Sequence, residues 1–253
     1  MTHKIRAYLT IIAFAAVILV NFLAESLPLN DNTTGELSDK YNVLITPSGY
    51  VFSIWGLIYL LLGLWVIYQA LPKQINKAVF RRIGYWFLLS CLFNCLWIFV
   101  WHYEKLELSL LVMIGLLASL IIIYSKIYNN GEYRSFIRIP FSIYLGWVSV
   151  ATIVNASVVL KYNGWKGFGL SDVTWTIIML LVGTLLAMYF SLKNNDILYT
   201  LVFVWAYFGI GIRHMGSLDL LSNISFSLAA LLLIFIIWRS SKRTNSIHHL
   251  RMS

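Results

Sequence analysis

Charged residues are scarce in this sequence, and their scarcity excludes most soluble folds. Only 11% of the 253 residues are Asp, Glu, Lys or Arg, whereas a soluble domain typically has about 25%. Hydrophobic residues make up 60% of the chain, and the mean hydropathy is +0.78. A soluble domain of this size cannot bury so much apolar surface, because its own exterior needs polar residues. We therefore expect an integral membrane protein surrounded by lipids.

Cysteine and histidine are also rare, which removes several kinds of chemistry. The two cysteines, Cys91 and Cys95, lie one helical turn apart in an apolar run, so they form neither a disulfide framework nor a zinc site. The five histidines lie in the tails or near predicted helix ends, where they offer no axial ligand to a haem in the bilayer. No acidic or basic residue occupies the centre of a predicted span, which disfavours ion-coupled transport. We predict no catalytic residue, no metal site and no required cofactor.

Long hydrophobic runs are what the sequence has in abundance. A helix crosses the roughly 30 Å hydrocarbon layer with about 20 apolar residues. All four prolines fall at the ends of runs of about that length, where they do least damage to a helix. The sequence predicts an all-α, polytopic transmembrane helix bundle of about eight helices. The predicted spans, of which the seventh is short, are 8–27, 50–70, 83–101, 108–125, 139–160, 173–191, 197–212 and 220–238.

The distribution of positive charge predicts the orientation. The chain has 19 Lys and Arg against 10 Asp and Glu, but no basic stripe on a polar surface that could receive nucleic acid. With eight spans both termini share one face, and most cations fall on that face, which is typical of the cytoplasmic side. We therefore expect a cell-membrane protein, in a bacterial plasma membrane, with both termini cytoplasmic. Five cations fall on the opposite face: Lys40, Lys105, Lys161, Lys166 and Arg213. The other fourteen are Lys4, Arg6, Lys73, Lys77, Arg81, Arg82, Lys126, Arg134, Arg138, Lys193, Arg239, Lys242, Arg243 and Arg251.

Three predicted helices carry aromatic and amide side chains at helical spacing. Such stripes are more often packing surfaces or interfacial anchors than ligand contacts, but here they could also line a pocket. On the opposite face, the connection 29–48 is polar enough to be a surface loop or a lid, with a plain linker as the alternative. The stripes are Phe52, Trp55 and Tyr59; then Asn94, Trp97 and Trp101; then Tyr144, Trp147, Ala151 and Asn155.

The asparagines inside the spans need hydrogen-bond partners. Asn94 and Asn155 lie well within apolar runs, and Asn21 lies in the first run. An amide in hydrocarbon is costly unless it is hydrogen-bonded, either to another helix or to a ligand. The sequence leaves both alternatives open.

Three blocks of this sequence resemble one membrane-protein family. The segment 46–59, TPSGYVFSIWGLIY, is similar to the start of the second helix in the TspO/MBR family of tryptophan-rich sensory proteins, relatives of the translocator protein. Asn94 with Trp97 resembles the family's third-helix pattern, and Pro140 through Trp147 to Asn155 resembles its fifth-helix pattern. Order and spacing agree across the three blocks. The family core has five helices, and the region 173–253 lies outside the resemblance.

The resemblance implies a function and a set of contacts. The family binds tetrapyrroles such as protoporphyrin IX, and sometimes other lipophilic molecules, in a pocket among its helices, and a homodimer is possible. Light-dependent porphyrin breakdown, which the family also implies, leaves the question of enzyme activity open. We expect residues 1–165 to form the TspO-like core, 166–239 three additional helices and 240–253 a basic tail. The predicted ligand-binding residues are Trp55, Tyr59, Asn94, Trp97, Trp147, Ala151 and Asn155.

Three functions fit these expectations. The first is a sensor that binds a tetrapyrrole in the cell membrane. The second is a carrier that moves a lipophilic molecule, such as a porphyrin or a sterol, across the bilayer, with the added helices completing its path. The third is a structural membrane protein whose aromatic residues only pack.

Overall fold

The computed structural model describes residues 3–27, 29–129 and 136–251, with side chains up to residue 241. Within these ranges the chain is helical and contains no strand. Some residues used above to place the spans and to count charges lie outside the described residues. They are Pro28, Glu132, Arg134 and the side chains of Lys242, Arg243 and Arg251.

Eight of the helices in the described ranges are long and apolar enough to cross a membrane. They coincide with the eight predicted spans, so the prediction of an all-α polytopic bundle is confirmed. The third helix is preceded by a 3-10 turn, Gly49–Ser53, that belongs to the same span. A ninth, short helix lies in the connection 29–48, for which the sequence analysis considered a surface loop, a lid or a plain linker. The helices are α1 (His3–Ser26), α2 (Thr34–Lys40), α3 (Ile54–Ala70), α4 (Ala78–His102), α5 (Leu106–Asn129), α6 (Ile139–Tyr162), α7 (Asp172–Asn194), α8 (Ile197–His214) and α9 (Asp219–Arg251).

Local chemistry sets the boundaries of the last helices. Pro140 occupies the first turn of α6, where its missing N–H has no helical partner to lose. The hydroxyl of Ser171 accepts a hydrogen bond from the Thr174 amide and begins α7. Asn195, with a φ of 51°, ends α7 in the left-handed conformation that stops a helix. The carboxylate of Asp196 then caps α8, so two helices turn within a few residues.

The eight spans pack as one body. Helix α4 lies against α1 and α5, α6 lies against α3 and α5, and α8 lies against α6 on one side and α7 and α9 on the other. Glycines let α8 approach closely: a Cβ on Gly146 would lie 3.0 Å from the Tyr199 carbonyl oxygen, and one on Gly209 would overlap Val51. Small residues at such contacts are typical of helix packing in membranes. The C-terminal helices therefore cover one side of the first five.

A buried polar cluster joins α5, α6 and α8 near the face that carries the termini, which we call the terminal face. Asp196 is fully buried and accepts hydrogen bonds from Tyr124, at 2.7 Å, and Ser142, at 2.5 Å. The Arg138 guanidinium lies 3.6 Å from the same carboxylate. Because a buried charge is costly unless it is paired and hydrogen-bonded, this cluster is a structural tie.

Candidate functional site

The short helix α2 covers the opposite end of the bundle, which we call the lid face. A capping box begins it: the Glu36 carboxylate accepts from the Thr33 amide at 2.7 Å, and the Thr33 hydroxyl accepts from the Glu36 amide at 3.3 Å. Its residue Leu37 is fully buried, and the indole of Trp101 donates to the Thr34 carbonyl at 3.4 Å. The connection is therefore an ordered lid.

Polar ties at its edge hold the lid in place. Lys40 and Tyr41 both donate to the carboxylate of Glu104, in the turn between α4 and α5, at 2.6 and 2.5 Å. The hydrogen bonds from Lys40 and then Tyr41 hold the pKa of Glu104 below its usual value. On the other side, the Arg213 guanidinium of α8 pairs with Asp39. The lid is thus anchored both to the first five helices and to the added ones.

A cavity lies directly under the lid, between α3, α4 and α6, and we call it the tryptophan pocket. Its volume is about 30 Å³, and its walls are almost entirely apolar. That volume holds about two water molecules, since one needs roughly 10–15 Å³. The pocket is therefore too small for an organic ligand in this structure. Its lining residues are Thr34, Ser38, Pro47, Phe52, Trp55, Trp97, Trp101, Trp147, Val150, Ala151, Val154 and Asn155.

The aromatic rings of the pocket contact one another edge-on and face-on. Trp147 meets Phe52 and Trp55 edge-on, with centroids 5.8 and 6.2 Å apart. Across the pocket, Trp97 and Trp101 stack with an interplanar angle of 17° and a centroid distance of 5.5 Å. Flat indole faces arranged in this way suit a flat, apolar ligand.

One polar group in the pocket wall has no partner. The indole nitrogen of Trp147 is buried and makes no hydrogen bond, although the side chain is only 2% exposed. A buried donor without an acceptor costs about 1–3 kcal/mol. A ligand acceptor that reached this nitrogen would relieve that cost.

The amide of Asn155 is already engaged. Its nitrogen donates to the Ser109 hydroxyl at 2.9 Å, and its oxygen accepts from the Trp97 indole at 3.4 Å. Asn155 therefore joins α4, α5 and α6 while lining the pocket. Of the two alternatives for a buried asparagine, a bond to another helix or to a ligand, the structure shows the bond to other helices at Asn155.

Asn94 behaves similarly but lies away from the pocket. Its nitrogen donates to the Tyr144 hydroxyl at 3.0 Å, and its oxygen accepts from Asn21 of α1 at 2.8 Å. This chain of bonds connects α1, α4 and α6. The two central asparagines thus fix the bundle, as their burial requires.

A second, larger cavity adjoins the first and opens between α1, α3 and the lid; we call it the groove. Its volume is about 710 Å³, within the range of about 300–1,000 Å³ for small-molecule sites. Tyr59 lines this groove and stacks on Trp55 with centroids 5.4 Å apart. The groove and the tryptophan pocket share Thr34, Phe52 and Trp55. These residues lie between the small cavity and the large one.

A family model described as TSPO-like protein matches residues 7–238. The chain belongs to the TSPO-like protein family. The match includes the last three helices, where the sequence by itself showed no resemblance. No curated protein and no solved structure matches the chain.

In this TSPO-like protein the structure brings together most of the predicted site. Of the seven predicted residues, Trp55, Trp97, Trp147, Ala151 and Asn155 line the tryptophan pocket, whereas Tyr59 lines the groove and Asn94 lines neither. Their role in binding stays a prediction. The lid residues Thr34 and Ser38 were missed, although a Thr-x-x-Glu capping box at 33–36 indicates a helix start.

Proposed function

We propose that this TSPO-like membrane protein is a sensor that binds a tetrapyrrole, such as protoporphyrin IX, in the tryptophan pocket. The unpaired indole nitrogen of Trp147 is the observation that carries the proposal. A tetrapyrrole offers a flat apolar face to the surrounding rings, and its polar atoms can accept the Trp147 hydrogen bond. Ala151, which is small, leaves room on the α6 side of the pocket.

Binding requires the lid to open, because about 30 Å³ cannot hold a macrocycle. Burial of Leu37 stabilises the closed lid by about 1.5–3 kcal/mol, and each exposed ion pair adds about 0.2–1 kcal/mol. The closed lid is therefore favoured by only a few kcal/mol, so an open minor state is accessible. A ligand that binds the open state shifts this equilibrium, and the change in the lid is the signal that a sensor needs.

The interior below the pocket favours binding over passage through the bundle. Trp65 of α3 packs against Phe80, Phe87 and Phe141, with centroid distances of 5.8, 4.9 and 5.0 Å. These fully buried rings fill the bundle towards the terminal face. A carrier would need a path through them, so a sensor that takes up its ligand from the lid face fits the structure better.

The orientation is part of the proposal. Eight apolar spans and the family indicate a multi-pass membrane protein. On the lid face, Lys40, Lys161 and Arg213 each pair with a carboxylate. Of the cations on the terminal face, Arg138 forms the ion pair described above. The excess of Lys and Arg on the terminal face supports a cytoplasmic location for both termini in the cell membrane. A homodimer stays a prediction.

A protoporphyrin IX titration of the protein in nanodiscs tests the proposed ligand. Quenching of tryptophan fluorescence reports binding in the wild type, in Trp147→Phe, and in the control Trp175→Phe. Phenylalanine keeps an aromatic ring but removes the N–H. Trp175 donates to the Gly167 carbonyl at 2.6 Å and lies outside the pocket, so its replacement controls for the loss of one indole.

We expect saturable one-site binding, about tenfold weaker in Trp147→Phe and unchanged in Trp175→Phe, since a lost hydrogen bond costs about 1–1.5 kcal/mol. Linear quenching in all three proteins would overturn the proposal. Equal affinity in the wild type and Trp147→Phe would remove Trp147 from the site.

A further inference from the structure

The groove differs from the tryptophan pocket in its charge. Among its sixteen lining residues are three carboxylates, on Glu25, Glu36 and Asp39, and no lysine or arginine. Glu25 lies near the end of α1, and the other two belong to the lid. The carboxylates therefore gather at the lid-face end of the groove, and this end, which we call the opening, is acidic.

Two of these carboxylates keep their charge uncompensated. Asp39 pairs with Arg213. Glu25 and Glu36 are exposed, and within the described residues neither has a Lys, Arg or His partner. Glu25 accepts a hydrogen bond from the Thr34 amide at 3.3 Å. Hydrogen bonds from the backbone and hydroxyl of Thr33 hold the pKa of Glu36 below its usual value, so this group is ionised at neutral pH. The opening thus carries net negative charge.

The inner wall of the groove is aromatic. Phe22 of α1 faces the groove together with Phe52, Trp55 and Tyr59. The faces of such rings attract organic cations, by about 0.5–1 kcal/mol at exposed sites and more where water is excluded. Apolar rings inside and carboxylates at the opening are complementary to a molecule with an apolar body and a positive charge.

Three glycines line the groove at positions with open space around them. Gly35, Gly49 and Gly56 line it, and a Cβ built on any of them would meet no atom within 4 Å. None of the three has a positive φ, so the space, and not the backbone, distinguishes these positions. A larger side chain at Gly56, in the membrane-spanning helix α3, would extend into open space at the edge of the groove.

We propose that the groove binds a lipophilic organic cation, with Glu25 and Glu36 supplying the charge and the ring wall supplying the apolar contact. This inference goes beyond the proposed function, because the carboxylate-bearing tetrapyrrole and the cation belong to opposite charge classes. The groove discriminates by charge, whereas the tryptophan pocket discriminates by shape. Entry is from the lid face, where the carboxylates lie.

The test uses two ions of nearly equal shape and opposite charge, tetraphenylphosphonium and tetraphenylborate. Equilibrium binding of each is measured by calorimetry on the full chain in nanodiscs of zwitterionic lipid, with empty nanodiscs subtracted. The variants are Glu25→Gln/Glu36→Gln, in which glutamine still serves the capping box, and Gly56→Leu. Glu107→Gln is the matched control, because Glu107 is a carboxylate near the lid face that lies outside the groove and binds Asn163.

The phosphonium is expected to bind saturably to the wild type and to Glu107→Gln, and about tenfold more weakly to the double glutamine variant, since each exposed charge contributes modestly. Gly56→Leu is expected to remove saturable binding, and the borate should show none. Equal binding of both ions, or a phosphonium affinity unchanged in both groove variants, would overturn the proposal. Loss of binding in Glu107→Gln as well would also contradict it.

Trp147→Phe separates this inference from the proposed function. Trp147 does not line the groove, so its replacement should leave phosphonium affinity unchanged even if it weakens protoporphyrin binding. If protoporphyrin fails to bind and the phosphonium still binds with the expected variant pattern, the inference stands and the tetrapyrrole proposal fails. A large loss of phosphonium affinity in Trp147→Phe would contradict a separate groove site.

Discussion

The tryptophan pocket and the groove share a wall but differ in almost every physical property. The pocket is small, about 30 Å³ in volume, and its walls are apolar, whereas the groove is about 710 Å³ and three carboxylates line it. Packing shapes the pocket: rings meet edge-on, and Asn155 ties three helices together beside it. The groove is distinguished by the carboxylates that line it and by glycines with open space around them.

Under the two proposals, one lid borders both binding sites. The inner side of α2, with Thr34 and Ser38, closes the pocket, while Glu36 and Asp39 face the groove. A ligand in the pocket must displace the lid, but a ligand in the groove need not. Binding in the pocket should therefore depend on the lid ties, and binding in the groove on charge.

Filling the pocket should have the largest effect. In Ala151→Phe the new ring occupies the space under the lid, and we expect protoporphyrin IX affinity to fall about a hundredfold, or about 2.7 kcal/mol. Val182→Phe, on an exposed position of α7, is the control for an added ring. Fluorescence titration in nanodiscs measures both. Undiminished affinity in Ala151→Phe would place the ligand elsewhere.

Breaking the amide tie beside the pocket should lower stability. Asn155→Leu leaves the Trp97 indole and the Ser109 hydroxyl without their buried partner, so we expect a loss of about 1–2 kcal/mol. Asn163→Leu removes an exposed amide and should cost under about 0.5 kcal/mol. Thermal unfolding in detergent compares the two. Equal losses would mean that the buried network adds nothing.

Loosening the lid should speed entry into the pocket. Glu104→Gln removes the ion pair with Lys40 and weakens the bond from Tyr41, so we expect protoporphyrin IX to associate about two- to fivefold faster. Glu107→Gln, outside the lid ties, is the control. Stopped-flow fluorescence gives the rates. An unchanged rate would show that the lid does not limit entry, and phosphonium binding should not change in either variant.

Acid should loosen the same tie by a smaller amount. The pKa of Glu104 is lower in the folded protein than in the unfolded chain, where it is about 4.3. The ionised carboxylate therefore stabilises the lid fully above about pH 4.3, and this stabilisation disappears as the pH falls through the pKa of the folded protein. A spin label at Asn32, just before the lid, should become more mobile below about pH 4 in the wild type. Glu104→Gln should be mobile already and show little further change. Parallel pH curves in the two proteins would contradict this.

Much of the fold follows from the sequence because the apolar runs are long. Each of the eight spans is a run that a bilayer requires, and the structure contains all eight. Helix limits differ where polar residues continue a helix beyond the hydrocarbon: α1 begins at His3 and not at residue 8, and α4 begins at Ala78 and not at residue 83. Hydrophobicity marks the membrane boundary, whereas hydrogen bonding marks the helix boundary.

The site was less predictable because it depends on contacts between distant segments. Spacing alone determines which residues of a helix share a face, so the sequence groups Trp147 with Ala151, and both line the tryptophan pocket together with Trp55. The hydrogen bonds that hold the lid to Trp101 and Glu104 join residues 63 to 67 positions apart and leave no local pattern. The Asp196 cluster was missed for the same reason: it joins residues of three helices, α5, α6 and α8.

The most direct test of two separate sites is a matrix of equilibrium affinities. Protoporphyrin IX and tetraphenylphosphonium are each titrated into Ala151→Phe and Gly56→Leu in nanodiscs. We predict that Ala151→Phe loses protoporphyrin and keeps the phosphonium, while Gly56→Leu loses the phosphonium and keeps protoporphyrin. Loss of both ligands in both variants, with the proteins still folded, would reduce the two cavities to one site and contradict the account.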